Sequence, residues 1–161
     1  MMIDILCKND GRRHRVKVGS NLLDLAKKEY PEAVDPKTGK RYQVLAALVD
    51  HKLKELSFNI FFPHEVKFIG YNDPDGRRTY IRSLSFLLQH AVRDVFPGKV
   101  LVVEHSLNSG LYCELREDRP GGAAFKPDAE GFDRLRARMR ELVDADLPFT
   151  TEKVCSLDVI L

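Results

Sequence analysis

Cysteine, long apolar runs and net charge are all scarce in this sequence. The three cysteines, Cys7, Cys113 and Cys155, lie far apart and form no Cys-x-x-Cys pair, a pattern typical of reduced thiols in a cytoplasmic protein. No apolar segment approaches the roughly 18–20 residues that span a bilayer. Asp4 and Lys8 interrupt the N-terminal apolar residues, so a secretory signal is not predicted. The sequence therefore predicts a cytoplasmic protein without a membrane partner.

The net charge by itself excludes few classes of function. A net charge of +2 over 161 residues is too small to predict nucleic-acid binding. Hydrophobic residues at 43% and charged residues at 31% are typical of a globular chain with one domain or two small ones. Positive charge is concentrated in two segments, one around Arg13 and one around Arg134–Arg140. We interpret the second as the solvated surface of an exposed helix.

Residues 1–18 predict a β-hairpin. Apolar residues recur at every second position over residues 3–7, as in a strand with one buried face. Asp10-Gly11 then predicts a two-residue type I′ turn. In the returning strand, residues 12–18, the outward positions are basic: Arg13, Arg15 and Lys17. These three cations are candidate RNA contacts, and the alternative is a merely solvated sheet face.

The chain that follows predicts a helix and then three more strands. Ser20 is the predicted N-cap of a short helix that ends at Pro31. Residues 32–41 predict a loop, because they are polar and contain proline and glycine. Strands are predicted at residues 43–49, 52–56 and 65–69. Four apolar residues before the last strand are expected to be sheltered from water: Phe58, Ile60, Phe61 and Phe62. A hairpin, a helix and further short strands follow in the order of a β-grasp fold.

These residues resemble the TGS domain of threonyl-tRNA synthetases, certain GTPases and (p)ppGpp synthetase/hydrolases. The resemblance covers about residues 1–71. At Asp50-His51 the chain departs from the family, which commonly has Asn-Gly there, a better type I′ turn. The resemblance implies a small module that binds RNA or a ligand and does not catalyse. The matching positions are Asp10-Gly11, Val18-Gly19-Ser20, Asp24, Ala26, residues 46–49 and residues 53–56.

The second half predicts a hinge, a helix, a strand pair and a last helix. Residues 72–76 are rich in turn formers and predict a domain boundary. A helix is predicted from Tyr80 and is stopped by Pro97-Gly98. Asp128 is predicted to cap the last helix. Strands are predicted at 99–103, 111–115 and 148–154, with a turn at 108–110 and a loop at 118–127. The apolar side of the first helix is predicted to comprise Ile81, Leu84, Leu87, Leu88, Ala91, Val92 and Val95.

Residues 77–161 resemble the start of the editing-type domain that follows TGS in threonyl-tRNA synthetases. The two resemblances together imply an α+β chain, with a TGS-like β-grasp domain at 1–71 and a truncated editing-like α+β module at 77–161. In that family a His-x-x-x-His pair on the helix binds zinc, but the matching positions are Arg82 and Phe86, which offer no zinc ligand. We therefore expect no catalytic residue, no bound metal and no deacylase activity. The shared runs are Ile81-Arg82-Ser83, Leu87-Leu88, Ala91-Val92, Phe96-Pro97 and residues 108–112.

The same tandem without the zinc histidines resembles the N-terminal half of bacterial uridine kinase-like nucleoside kinases. This resemblance implies a regulatory or ligand-binding module whose partner is a downstream P-loop kinase domain of the same polypeptide. The chain has no Gly-x-x-x-x-Gly-Lys-[Ser/Thr] motif, so ATP and magnesium would be cofactors of that downstream domain only. The parent protein would phosphorylate uridine or a related nucleoside. The alternative hypothesis is an RNA- or tRNA-binding module derived from threonyl-tRNA synthetase.

The polar side of the helix around Phe86 is the candidate ligand site. A large aromatic residue is unexpected there, and arginine beside it suits a phosphate or carboxylate, while an aromatic ring suits a base. The candidate cleft for a nucleotide or nucleoside effector comprises Arg82, Phe86, Gln89, His90, Asn108 and Tyr112. The alternative is that Phe86 and Tyr112 pack between helix and sheet while Arg82 is exposed.

Overall fold

The computed structural model describes residues 1–35, 37–108 and 110–150. The chain divides into two compact units, Met1–Leu84 and Ser85–Leu161, and helix α2 (Pro74–Val95) contributes residues to both. The described residues form sheets and three helices, so the predicted α+β class is confirmed. The division into a TGS-like β-grasp domain and an editing-like module stays a prediction. Among the described helices, none is both long and apolar enough to cross a membrane.

The N-terminal unit is built on a six-stranded mixed sheet. β1 (Met2–Cys7) lies between β2 (Arg13–Lys17) and β8 (Glu65–Gly70), antiparallel to β2 and parallel to β8. β5 (Arg41–Val49) pairs with β8 on the far side. Among the strands that the structure describes, β2 pairs with β1 alone, so it forms an edge of the sheet. The shorter strands are β4 (Glu32–Val34) and β6 (Lys52–Lys54), which pair with β5, and β3 (Ser20–Asn21) and β7 (Asn59–Ile60), which pair with each other.

Helix α1 (Leu22–Glu29) closes the core of this unit. Its N-cap is Asn21, whose Oδ1 accepts a hydrogen bond from the Asp24 amide at 2.8 Å. The predicted cap, Ser20, is wrong, because Ser20 pairs with Ile60 in the small sheet. The apolar alternation of β1 is confirmed, since every second residue of that strand is buried. The buried cluster comprises Ile3, Ile5, Cys7, Leu22, Leu25, Ala26, Ala33, Val44, Ala47, Val49, Ile60, Val66 and Phe68.

The first hairpin turn differs from the predicted type I′ turn. Gly11 has a φ of 72°, but Asp10 is not in the left-handed region that a type I′ turn requires of both central residues. The Cys7 amide donates to the Arg12 carbonyl and the Gly11 amide to the Cys7 carbonyl, each at 2.8 Å. The loop therefore has four residues, Lys8–Gly11. Asp10 stabilises it through its side chain, which accepts a hydrogen bond from the Arg12 amide at 2.9 Å.

Two further predictions in this unit are wrong. Residues 32–34 form β4 and not a loop, because β5 offers them a free edge to pair with. Phe61 and Phe62 are not sheltered: they are 53% and 70% exposed, although Ile60 is fully buried and Phe58 packs against the core.

The turn between β5 and β6 has the type I′ form that its sequence disfavours. Asp50 and His51 have φ values of 46° and 67°, and Val49 faces Lys52 across the turn. Asp50 is held there by its carboxylate, which accepts from the Glu65 amide at 2.9 Å and lies 2.6 Å from Nδ1 of His64. These contacts hold the pKa of Asp50 below its usual range, the bond from the Glu65 amide more than the one from His64.

We expect the His51→Gly variant to be more stable than the parent by about 0.5–1 kcal/mol. Glycine adopts a left-handed φ without the clash that a β-carbon suffers, and the His51 side chain forms no hydrogen bond or ion pair among the described residues. Thermal unfolding followed by circular dichroism measures the difference. Lys52→Gly, one residue further along in β6, is the control and should lower the melting temperature. A lower melting temperature for His51→Gly would contradict the argument from turn strain.

The C-terminal unit packs two helices against a three-stranded antiparallel sheet. β10 (Gly110–Glu117) lies between β9 (Lys99–Leu107) and β11 (Ala124–Phe125). α3 (Ala129–Asp144) has the predicted N-cap, since Asp128 Oδ1 accepts from the Gly131 amide at 2.7 Å. The predicted stop of α2 at Pro97-Gly98 is confirmed, with Gly98 at a φ of 75°. The buried cluster comprises Ala91, Val92, Phe96, Leu115, Leu135 and Leu142.

Four predictions on the second half need correction. The hinge at 72–76 is wrong in part, because α2 begins at Pro74 and not at Tyr80. The strands at 99–103 and 111–115 extend to nine and eight residues as β9 and β10. The predicted loop at 118–127 contains β11. Residues 148–150 are not in a strand, and the rest of the strand predicted at 148–154 lies outside the described residues, as does Ser109 of the 108–110 turn.

Candidate functional site

The outward side of β2 carries three cations. Arg13, Arg15 and Lys17 alternate with inward-facing residues and are all exposed, as the sequence predicts. Arg15 forms an ion pair with Asp4 of β1 at 3.3 Å, because the strand register places the two residues opposite each other. Arg13 and Lys17 have no ion-pair partner among the described residues. We name Arg13, Arg15 and Lys17 the basic face of β2.

The inward side of β2 is fixed by a polar cluster that the sequence did not indicate. His14 Nε2 lies 2.7 Å from the Tyr30 hydroxyl and 3.7 Å from Asp10 Oδ2. Burial raises the pKa of Tyr30, and a hydrogen bond to Asp10 raises it further. The same bond lowers the pKa of Asp10, with help from the Arg12 amide. This cluster joins the end of α1 to β2 and so holds the edge strand in place.

The predicted cleft residues on α2 have different surroundings. Arg82 is exposed and belongs to the N-terminal unit. Phe86 is 62% exposed, with its ring centroid 5.5 Å from that of Phe149. His90 Nε2 lies 3.6 Å from the Asp94 carboxylate one turn along the helix. Gln89 turns to the sheet, where its Oε1 accepts a hydrogen bond from the Leu101 amide at 3.1 Å.

Of the two predicted cleft residues on the β9–β10 hairpin, Asn108 lies far from Gln89. Asn108 is in the turn with a φ of 51°, seven residues along from Leu101, which corresponds to about 20 Å of strand. Tyr112 stacks on His105 at 5.2 Å between ring centroids and donates to Glu114 at 3.0 Å. That bond raises the pKa of Tyr112. The structure thus does not bring Asn108 and Gln89 together, and the role of the six residues as a ligand site stays a prediction.

The C-terminal unit has a cavity of about 520 Å³ between its helices and sheet. Tyr112 lines it, together with mostly apolar residues from each element. Glu114 and Lys126 supply charge at its wall. The residues that form its apolar wall are Leu88, Leu101, Leu115, Phe125, Phe132 and Leu135.

No metal-binding cluster is present in the described part of the chain: no three side chains of His, Cys, Asp or Glu are grouped suitably there. Arg82 and Phe86 occupy the positions where the resemblance to editing domains would place two ligands, and neither side chain can bind zinc. That the chain binds no zinc stays a prediction.

Comparison with known proteins finds threonine–tRNA ligases among the relatives of this chain. No protein-family model matches the sequence. A threonine–tRNA ligase of Syntrophotalea carbinolica is 30% identical over 151 residues, covering 86% of this chain and 22% of the ligase. Those of Hyphomonas neptunium and Desulforamulus reducens are 29% and 26% identical, covering 89% and 92% of this chain and 20% and 21% of the ligases. The chain spans about a fifth of the length of these relatives, and it is similar through both of its units to a part of the threonine–tRNA ligases.

Proposed function

We propose that this chain is a non-catalytic RNA-binding module that holds tRNA-like RNA by its phosphate backbone at the basic face of β2. Two observations support it. The relatives are ligases named for tRNA, and the edge strand presents Arg13 and Lys17 without ion-pair partners among the described residues. The second observation carries the proposal, because a cation that already has an ion-pair partner contributes little binding free energy when it contacts a phosphate.

The geometry of the basic face suits an extended polyanion. Successive outward residues of a strand are about 6.6 Å apart, so Arg13 and Lys17 are separated by about 13 Å along the edge. Arg15, between them, is 72% exposed and exchanges one partner, Asp4, for another when an anion approaches. Arginine adds bidentate hydrogen bonding to a phosphate, and lysine adds a compact point charge.

Reversal of the two unpaired cations should weaken RNA binding strongly. We expect the Arg13→Glu/Lys17→Glu variant to bind tRNA at least about tenfold more weakly. The slope of log K against log salt should fall by about two, because two fewer counterions are released. Fluorescence anisotropy with labelled tRNA over a range of salt concentrations measures both quantities.

The matched control reverses the same number of charges on α1. Lys27 and Lys28 are exposed and follow each other near the end of that helix. The Lys27→Glu/Lys28→Glu variant changes the net charge equally, so it should lose only the small, non-local part of the attraction. Equal losses in the two variants would overturn the assignment to β2, and no measurable binding by the parent would overturn the proposal itself.

A nucleoside-kinase parent is a separate hypothesis. It is motivated by Arg82 and Phe86 at the positions where an editing domain has histidines, and none of the relatives named above is a kinase. The coding sequence after Leu161 tests it: a Gly-rich phosphate loop with its lysine would support the kinase, and a synthetase core would exclude it. Until then the downstream kinase domain, its ATP and its magnesium stay predictions.

A further inference from the structure

Two adjacent phenylalanines of the N-terminal unit are unusually exposed. Phe61 and Phe62 follow β7 and expose 53% and 70% of their surface, whereas the residue before them, Ile60, is fully buried. Each ring therefore exposes an apolar surface to solvent, and the backbone before the rings is fixed by a hydrogen bond. The Gly19 amide donates to the Ile60 carbonyl at 2.8 Å, which fixes the chain immediately before Phe61.

Phe61 packs beside the backbone of Gly19, two residues beyond Lys17, and Phe62 follows it in the chain. A β-carbon built on Gly19 would be 3.8 Å from Cε1 of Phe61, so the ring packs beside the Gly19 backbone. Gly19 follows Lys17 by two residues, a distance of at most about 7 Å along the chain. Lys17, which has no ion-pair partner among the described residues, therefore lies two residues from the backbone against which the ring of Phe61 packs.

Exposed aromatic rings next to unpaired cations match the chemistry of unpaired nucleotides. The cations attract the phosphates, and the rings offer flat surfaces on which bases stack whatever their sequence. Bases inside a duplex are already stacked on each other, so they cannot use such rings. A protein partner would use the rings as well, but it would not need the row of cations beside them.

We propose that the RNA bound at this surface contains an unpaired segment, whose phosphates contact the basic face of β2 and whose bases stack on Phe61 and Phe62. This inference rests on the proposed RNA-binding function and adds the kind of RNA that is bound. It assigns to the two phenylalanines a role that neither the alternation of β2 nor the similarity to the ligases supplies.

The test compares a single-stranded RNA of about 12 nucleotides, without self-complementarity, with a duplex of the same length. We expect Phe61→Leu/Phe62→Leu to weaken binding of the single strand by roughly tenfold for each stacked base lost. Binding of the duplex and its salt dependence should be unchanged. Phe61→Tyr/Phe62→Tyr keeps both rings and should bind the single strand like the parent. Because both side chains are exposed, the melting temperatures of the variants are expected to match that of the parent.

The outcomes separate the inference from the function on which it rests. If the parent binds neither RNA, the proposed function fails and the inference fails with it. If the parent binds RNA and the leucine variant binds the single strand equally well, the function stands and the stacking role is wrong. If the leucine and tyrosine variants are equally impaired, the phenylalanines act by shape and not by their π surface, which also overturns the inference.

Discussion

Truncation of Phe68 to alanine is expected to cost the N-terminal unit about 3–5 kcal/mol of folding free energy. Phe68 is 1% exposed, and its ring stacks on Tyr30 with centroids 5.2 Å apart. Removal of the ring leaves a cavity that the rigid sheet cannot fill, because Asn9 clamps the backbone of Phe68 through both its amide and its carbonyl. Since small domains have about 5–15 kcal/mol in total, the loss approaches complete unfolding.

Urea denaturation of the Phe68→Ala variant measures this loss. Phe62→Ala is the matched control, because it removes the same ring at a site that is 70% exposed. It should change the unfolding free energy by less than about 0.5 kcal/mol. A small effect at Phe68, comparable to that at Phe62, would show that the core is not centred on this ring.

A single methyl group at Gly76 should destabilise the start of α2 by at least about 2 kcal/mol. In most helices the change from glycine to alanine is favourable by about 1 kcal/mol. Here the sign is reversed, because the new β-carbon would lie 2.0 Å from the Gly70 carbonyl oxygen and 2.7 Å from its carbon. Both are backbone atoms at the end of β8, so neither can rotate away.

Thermal unfolding of the Gly76→Ala variant tests this close approach. Gly110→Ala is the control, since the added β-carbon would have its nearest neighbour at 3.7 Å and the φ of Gly110 is not positive. The control should be nearly neutral. A Gly76→Ala variant as stable as the parent would mean that α2 can begin later without loss.

Local signals in the sequence predicted several elements correctly, because their causes are local. The buried alternation of β1, the cap at Asp128 and the stop at Pro97-Gly98 each depend on residues within a few positions. β4 could not be predicted in this way, because its three residues, Glu32–Val34, are too few to show a period and form a strand only by pairing with β5.

The start of α2 shows how a turn signal can be misleading. Residues 72–76 contain proline, glycine and aspartates, which are typical of a hinge. In the structure Asp73 accepts from the Asp75 amide at 3.0 Å, proline is the first helical residue, and glycine allows contact with β8. The same residue types therefore begin a helix, and the deciding contact is with Gly70, which no local pattern reveals.

The sequence predicted which residues form the basic face of β2, but it did not predict their ion pairs. The alternation of β2 placed Arg13, Arg15 and Lys17 on one side. Which of them is neutralised depends on the register with β1, which sets Asp4 opposite Arg15. Similarly, the Gln89 side chain could contact a ligand, but its Oε1 accepts a hydrogen bond from the Leu101 amide of β9. Both contacts join residues that are distant in the sequence, so no local pattern could predict them.

The buried thiol of Cys7 links the stability of the N-terminal unit to oxidation. Cys7 is fully buried, and burial raises the pKa of its thiol, so almost no thiolate forms in the folded unit. Oxidants and alkylating reagents can reach it only when β1 separates from its neighbours, and the rate of modification then follows the fraction of molecules that are open. A modified Cys7 could not return to a core packed around a small thiol. Oxidation or alkylation of Cys7 would therefore make a transient opening permanent. Each destabilising change in the sheet would shorten the chemical lifetime of the protein by the factor by which it raises the open fraction.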